Sequence, residues 1–312
     1  MEADLPAVTF RIDPIGGDVS AGTACPTDAI RSRERIVLLI HGFNVDLAGG
    51  KERYRRFVDR LREMMAIPRE GPVAHDRLVA VYWPGDADWG FAKPLAYMRS
   101  VPRAKAIGEN LARMLEDAAG TKRMLDVDVV AHSLGCRLAL EALLAIRENG
   151  ESRVRIRRIQ LMAAAVPTFM LFDPDRKPRL REAFESSLEI GAKNLWSGSD
   201  AVLSYAFPLG QTLAGDGEGF LPTAVGHARW PAQNELARMD PVEFPGVGHG
   251  SYWGGDYPDY SASTAYIAHE FLQLPDALSR EVQERIIAER RLEDAPGNAA
   301  RTLPDREPGR IC

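Results

Sequence analysis

The chain has 312 residues, of which 45% are hydrophobic and 27% are charged, a composition typical of a globular protein that can bury one large core. Its formal net charge of −5 argues against nucleic acid and against anionic membrane surfaces as partners. No run approaches the roughly 18 apolar residues that cross a bilayer, and the first residues lack the basic and apolar regions of a signal peptide. We therefore expect a cytoplasmic protein with no membrane span.

Apolar runs that suggest strands alternate with helical patterns along the chain. Strands are predicted at residues 7–12, 35–40, 77–83, 127–131, 156–166, 193–197 and 242–244. Apolar residues recur at helical spacing over residues 54–65, 104–118 and 262–274, and a charged helix is predicted at 276–292. This alternation predicts an α/β protein with a mostly parallel central sheet and helices on both faces.

The predicted helices and strands fit one domain, residues 1–293. Within it, residues 14–28 contain glycine and proline and are predicted to form a loop. The stretch 204–235 is predicted as a long loop above the site, since loops of this length in a compact domain are commonly functional. Residues 294–312 are rich in proline, glycine and charge, so we expect a disordered tail.

The most informative segment is the predicted strand that ends in Ala131-His132-Ser133-Leu134-Gly135. A leucine- and alanine-rich helical pattern follows at once, and a G-x-S-x-G nucleophile elbow requires this strand–turn–helix context. Such a turn is so tight that the residues two before and two after the serine must be small. Ala131 and Gly135 meet that condition, so Ser133 is predicted to be a nucleophile.

A second motif follows the buried strand at 35–40. The strand ends in His41-Gly42-Phe43-Asn44-Val45, and an HG motif on the loop after a third strand supplies one backbone N–H of an oxyanion hole. The residue after the nucleophile supplies the other N–H. We assign the two donors to Phe43 and Leu134, which together are expected to stabilise a transition state by roughly a few kcal/mol.

These motifs resemble the α/β-hydrolase superfamily: HGFNV after a buried strand, then Tyr82-Trp83-Pro84-Gly85, then AHSLG. Within it, the chain is most similar to an uncharacterised bacterial branch that carries an HGFN motif, a W-P-S-like segment and a late H-x-x-Y-like segment. The resemblance covers residues 33 to about 275. Two positions differ: Gly85 replaces a frequent serine, and Ala131 replaces the first elbow glycine. Neither difference removes a catalytic atom.

The base is expected to be a histidine, because imidazole can take the serine proton and return it near neutral pH. Four of the six histidines fit this role poorly, because they lie in the oxyanion loop, beside the serine, ahead of a strand, or inside a helical pattern: His41, His132, His75 and His269. In the superfamily the histidine comes last, on a loop after the final strand. His249 fits that position, and His227 is the alternative.

The acid that orients the histidine is predicted to be Asp200, which follows the strand at 193–197 in a Gly-Ser-Asp loop. Asp200 is also a good N-cap for the helix suggested at 201–206, and both roles are compatible. The alternatives are Asp173 and Asp175, which follow the preceding strand.

Together these residues predict a serine hydrolase that acts on a small-molecule acyl substrate, with a carboxylic ester preferred. An amidase or thioesterase with the same residues is one alternative, and a catalytically silent binding protein of the same fold is another. Asn44, Trp83 and Tyr252 are candidate pocket residues. For Trp83 the alternative is a place in the core, which is more common for aromatic residues near strand ends, and for Tyr252 it is packing around His249. Cys25, Cys136 and Cys312 show no metal-binding spacing, and we expect neither a metal nor a cofactor. The sequence leaves the oligomeric state open.

Overall fold

A single sheet organises the chain. The computed structural model describes residues 5–12, 19–21, 30–64, 77–85, 93–121, 123–172, 178–215, 219–227, 236, 238–244 and 246–253. Within these ranges the sheet has eight strands: β1 (Ala7–Ile12), β2 (Val19–Ala21), β3 (Arg35–Ile40), β4 (Leu78–Tyr82), β5 (Leu125–His132), β6 (Val154–Met162), β7 (Gly191–Trp196) and β8 (Met239–Glu243).

The strands lie in the order β2-β1-β4-β3-β5-β6-β7-β8. Only the β1–β2 pair is antiparallel among the described strands, and every other neighbouring pair is parallel. The prediction of a mostly parallel sheet is therefore confirmed. Strand β2 lies inside the stretch predicted as a loop, because a strand of three residues is too short to show a periodic pattern.

Helices cover both faces of the sheet, as predicted. They are α1 (Leu47–Met64), α2 (Lys93–Ala119), α3 (Leu134–Glu148), α4 (Phe169–Phe172), α5 (Arg179–Ser187) and α6 (Phe207–Leu213). A π-helical turn, Val202–Ala206, leads into α6, and a 3-10 turn covers Ser251–Trp253. None of the helices in the described ranges combines the length and the apolar run that crossing a bilayer requires.

Side chains of the central strands alternate between two apolar cores. Along β3, Ile36, Leu38 and Ile40 pack with α2 and α3, whereas Val37 and Leu39 pack with α1. A parallel strand buried on both faces carries apolar residues without interruption, which explains the continuous run RIVLLI. Each such side chain contributes about 1.5–3 kcal/mol relative to exposure in water.

The strand order creates a crevice between β3 and β5. The chain passes from β3 to β4 on one side and returns to β5 on the other side of β3. In open α/β sheets, ligands bind at the carboxyl ends of strands where the winding direction reverses in this way. Those two ends carry the His41-Gly42-Phe43 loop and Ser133, so the topology brings the two sequence motifs together.

The predicted long loop 204–235 is wrong over its first part, because residues 204–213 are helical. The error centres on Gly210, because glycine in a glycine-rich stretch favours the prediction of a loop. In the structure this glycine makes room for an aromatic ring, since a Cβ on it would lie 2.6 Å from Tyr97 Cδ1. Residues 219–227 then return to the sheet, where Gly226 N–H donates to Ala164 O at 3.0 Å.

Several predictions fall outside the described residues. They are the helices at 262–274 and 276–292, the tail at 294–312, and parts of the stretch 204–235. The predicted strand at 156–166 is shorter than expected and ends at Met162. Ala163 has a φ of 46°, and this left-handed conformation is incompatible with a continuing strand.

Candidate active site

Ser133 occupies a sharp turn between β5 and α3. Its φ of 54° and ψ of −124° are conformations that a non-glycine residue adopts only under strain. Backbone hydrogen bonds hold the turn from two sides. Ser133 N–H donates to Met162 O at 2.9 Å, and Ser133 O accepts from Cys136 N–H at 3.0 Å and from Ala165 N–H at 3.2 Å. The surrounding main chain thus fixes the conformation of the turn that carries the hydroxyl.

The small residues around Ser133 are required by close backbone contacts. A Cβ on Gly135 would lie 2.3 Å from His41 O, and one on Gly42 would lie 2.7 Å from Ser133 Cβ. Both distances are far shorter than a normal carbon contact. The HG loop and the elbow therefore touch directly, and the steric reason given for Gly135 from the sequence agrees with the packing.

The structure brings Ser133, His249 and Asp200 into one line of hydrogen bonds. His249 Nε2 lies 2.9 Å from Ser133 Oγ, and His249 Nδ1 lies 2.8 Å from Asp200 Oδ2. A carboxylate can only accept, so Nδ1 carries the ring proton and donates it to Asp200. Nε2 is then free to accept the Ser133 hydroxyl proton. This geometry is within the reach that proton transfer needs.

Asp200 serves two partners from a fully buried position. Besides the Oδ2 contact with His249, its Oδ1 accepts from Leu203 N–H at 3.0 Å. The second contact satisfies a free N–H at the start of the π-helical turn, as an N-cap does. The contact with His249 and the capping contact with Leu203 therefore coexist, one on each carboxylate oxygen.

The alternative residues lie elsewhere or outside the described chain. His227 lies beside Ser204, with 3.3 Å between Nε2 and Ser204 Oγ. Residues 173, 175, 75 and 269 are outside the described ranges. Among the described residues, no three His, Cys, Asp or Glu side chains group closely enough to hold a metal ion.

The loop after β3 is held by the segment after β4. Trp83 donates its indole N–H to His41 O at 2.8 Å, and Asn44 N–H donates to Gly85 O at 2.6 Å. Asn44 has a φ of 58°, a conformation that asparagine tolerates better than most residues. These contacts join the segment after β4 to the loop after β3, a connection that the sequence alone did not reveal.

Two of the three candidate pocket residues are buried instead of lining an open pocket. Trp83 is 3% exposed and stacks on the His41 ring, with 5.7 Å between ring centroids. Tyr252 is fully buried beside Phe244 and His132. Aromatic residues near strand ends pack into the core here because the sheet is covered on both faces. Asn44 is exposed, and Phe43 is half-buried.

Two further histidines near Ser133 are buried and neutral. Burial lowers the pKa of His41 to about 4. Burial also lowers the pKa of His132 well below its ordinary value, and the neighbouring His249 lowers it further. A buried imidazole loses its proton because the cation is poorly solvated there. Near neutral pH, neither ring therefore adds a positive charge beside the line from Ser133 to Asp200.

The parallel order β4-β3-β5-β6-β7-β8, with a serine on the tight turn between β5 and α3, is that of an α/β hydrolase. A more specific match covers residues 23–188, just over half of the chain, and is to the family described as "Alpha/beta hydrolase of unknown function (DUF900)". The chain belongs to this family. The matched range contains the 41–45 loop and Ser133, and it ends before Asp200 and His249.

Several solved structures are similar to the chain. The product of gene lin2722 from Listeria innocua is 14% identical, with a TM-score of 0.38 over 77% of this chain and 95% of its own. The thioesterase of the prodiginine pathway in Streptomyces coelicolor is 14% identical, with a TM-score of 0.40 over 78% of this chain and 87% of its own. An esterase from Pyrobaculum calidifontis is 15% identical, with a TM-score of 0.36 over 82% of this chain and 77% of its own. A comparison with curated proteins gives no match.

The lowered pKa of His41 predicts that folding stability depends on pH. Between about pH 4 and 6.5, residue 41 binds a proton in the unfolded chain but not in the folded protein. The free energy of unfolding therefore rises with pH across this window, and this stabilisation is lost as the pH falls through it. His41→Gln should reduce the slope by up to about 1.4 kcal/mol per pH unit. Urea unfolding from pH 4.5 to 7.5 measures both slopes. Parallel curves for the two proteins would contradict the burial argument.

Proposed function

We propose that the protein is a serine hydrolase that cleaves a small-molecule carboxylic ester through an acyl-enzyme. Ser133 is the nucleophile, His249 is the general base and then the general acid, and Asp200 orients His249. The observation that carries this proposal is the hydrogen-bonded line from Ser133 Oγ through His249 to Asp200, with distances of 2.9 and 2.8 Å. The motifs at residues 41–44 and 82–85 further favour the HGFN-motif branch of the superfamily.

In the first half-reaction, Ser133 Oγ attacks the substrate carbonyl carbon while its proton passes to His249 Nε2. The imidazolium that forms is stabilised by the carboxylate of Asp200, which is buried and already oriented by Leu203 N–H. Because the hydrogen bond between Asp200 and His249 exists before substrate arrives, little reorganisation is needed when the positive charge develops on the imidazole. His249 then gives the proton to the leaving alkoxide, and the ester C–O bond breaks.

The backbone N–H groups of Phe43 and Leu134 are the proposed donors to the oxyanion. Leu134 is the first residue of α3, so its N–H has no partner within the helix and lies at the positive end of the helix dipole. The contact between Gly42 and Ser133 keeps the Phe43 loop close to the nucleophile. Removing one such donor in other hydrolases costs about 10²–10³ in kcat.

In the second half-reaction, His249 takes a proton from water while the water oxygen attacks the acyl carbonyl carbon. His249 then returns the proton to Ser133 Oγ as the bond between this oxygen and the acyl group breaks, which releases the acid and free Ser133. An ester is preferred as substrate because its alkoxide leaves more readily than an amine does. Residues 201–215 contain no charged side chain, and Val202, Tyr205 and Leu209 are exposed on the helix that begins after Asp200. This uncharged surface beside the acid favours an apolar acyl group.

A fluorophosphonate probe tests the proposed nucleophile directly. The probe should phosphonylate Ser133 and block hydrolysis of p-nitrophenyl esters, and Ser133→Ala should abolish both labelling and turnover. Ser204→Ala is the matched control, because Ser204 also lies beside a histidine; this variant should still be labelled at Ser133. Peptide mass spectrometry identifies the site.

Labelling at another serine would reject Ser133 as the nucleophile. A panel of amides and thioesters, run beside short- and long-chain esters, distinguishes the preferred substrate class. No labelling and no turnover of any of the three substrate classes would favour the silent binding protein.

Asp200→Asn tests the acid. The asparagine Oδ1 can still accept from Leu203 N–H, so the variant should remain folded. Its amide cannot hold His249 in the required tautomer, and kcat should fall by about 10⁴, as in other triads. Asp240→Asn is the control, because Asp240 is an exposed carboxylate that pairs with Lys193; its kcat should stay near the wild-type value. Near-full activity of Asp200→Asn, together with loss of activity in Asp173→Asn or Asp175→Asn, would instead assign the acid to one of these two residues.

A further inference from the structure

His132, the residue before Ser133, is a buried histidine that the proposed chemistry does not use. Its ring lies on the same face of the sheet as Val130, 5.0 Å from the His249 ring and 6.2 Å from the Tyr252 ring between centroids. Its Nε2 lies 2.6 Å from the backbone oxygen of His249. The neighbour of the proposed nucleophile therefore contacts the main chain of the proposed base.

The direction of this hydrogen bond follows from its acceptor. A carbonyl oxygen cannot donate, so His132 Nε2 carries the proton and donates it to His249 O. His132 Nδ1 is then unprotonated, and a Cβ on Gly42 would lie 3.0 Å from it. Because burial lowers the pKa of His132 well below its ordinary value, this tautomer persists at neutral pH. The ring is a neutral donor aimed at one backbone atom.

The backbone around His249 needs such a contact. Glycines stand at positions 246, 248 and 250, and Gly246 has a φ of 79°. Glycine loses more conformational freedom on folding than any other residue. Asp200 holds the His249 ring but not its backbone. Nearby, Val247 N–H donates to Phe244 O at 3.3 Å and Ser251 N–H donates to Gly248 O at 3.1 Å, and neither bond involves residue 249.

We propose that His132 is a positioning residue: its Nε2–H holds the His249 carbonyl and thereby sets the place of the base relative to Ser133. The catalytic consequence rests on the proposed function, whereas the anchoring of the loop does not. His132 and Ser133 are consecutive in the chain, so a single fixed turn carries both the nucleophile and the anchor of its base. A shift of the turn would therefore move Ser133 and His249 together and preserve the 2.9 Å contact between Ser133 Oγ and His249 Nε2.

Three variants separate positioning from packing. His132→Phe keeps a ring against Tyr252 and Trp253 but cannot donate. His132→Gln places an N–H near the original Nε2 and should restore the bond. Tyr54→Phe is the matched control, because it also removes one buried hydrogen bond to a carbonyl, from Tyr54 Oη to Val81 O at 3.0 Å.

The kinetic test uses a p-nitrophenyl ester. His132→Phe should lower kcat by about 10- to 100-fold, the order expected for a misplacement of about 1 Å, and KM should change little. His132→Gln should recover most of the loss, and Tyr54→Phe should keep the wild-type kcat. If His132→Phe does not fold, His132→Leu, which is smaller and also lacks a donor, replaces it.

The second test is amide hydrogen exchange over residues 246–253, which needs no turnover. His132→Phe should speed exchange in this segment, whereas Tyr54→Phe should not. If amide exchange in residues 246–253 is faster in His132→Phe but the wild-type protein is inactive, the proposed function would be rejected. The inference that His132 anchors the loop would stand. An active wild type with unchanged kcat and exchange in His132→Phe would overturn the inference, as would an equal loss of kcat in Tyr54→Phe.

Discussion

The site depends on the strained turn at Ser133. A φ of 54° followed at once by helix α3 turns the chain so sharply that β5, α3 and the loop after β3 come into backbone contact. Glycine is needed where those contacts are closest, at Gly42 and Gly135. The strain, which costs roughly 1–3 kcal/mol in comparable cases, persists because three backbone hydrogen bonds fix Ser133 between β6 and α3.

The contacts around this turn link residues that are far apart in sequence. Trp83 and Gly85 hold the loop after β3 from the end of β4, while Asp200 and His249 approach from the ends of β7 and β8. Each group lies at the carboxyl end of a parallel strand, where the winding of an α/β sheet collects its functional loops. Burial lowers the pKa values of His41 and His132, so neither ring places a positive charge beside His249 near neutral pH.

The sequence predicts the strands well because buried parallel strands carry long apolar runs, as β3 and β4 show. It also suggests Ser133, Asp200 and His249 as partners: Ser133 because a helical pattern follows its strand at once, and Asp200 and His249 because they occupy the positions that the resemblance to the superfamily implies for the acid and the histidine. It fails where packing overrides local pattern. Gly210 lies in a helix, where Tyr97 occupies the space that a side chain would take. Trp83, a pocket candidate, is buried in the core. Sequence spacing cannot report that the His132 ring reaches the backbone of residue 249.

The most direct test of the account is a crystal structure of the fluorophosphonate adduct, in which the phosphonyl oxygen imitates the oxyanion. We expect a covalent bond from phosphorus to Ser133 Oγ, with the phosphonyl oxygen about 2.7–3.1 Å from the backbone nitrogens of Phe43 and Leu134. His249 should remain hydrogen-bonded to Asp200 in that structure. A phosphonyl oxygen directed away from both amides, or an adduct formed without His249 beside Ser133, would contradict the account.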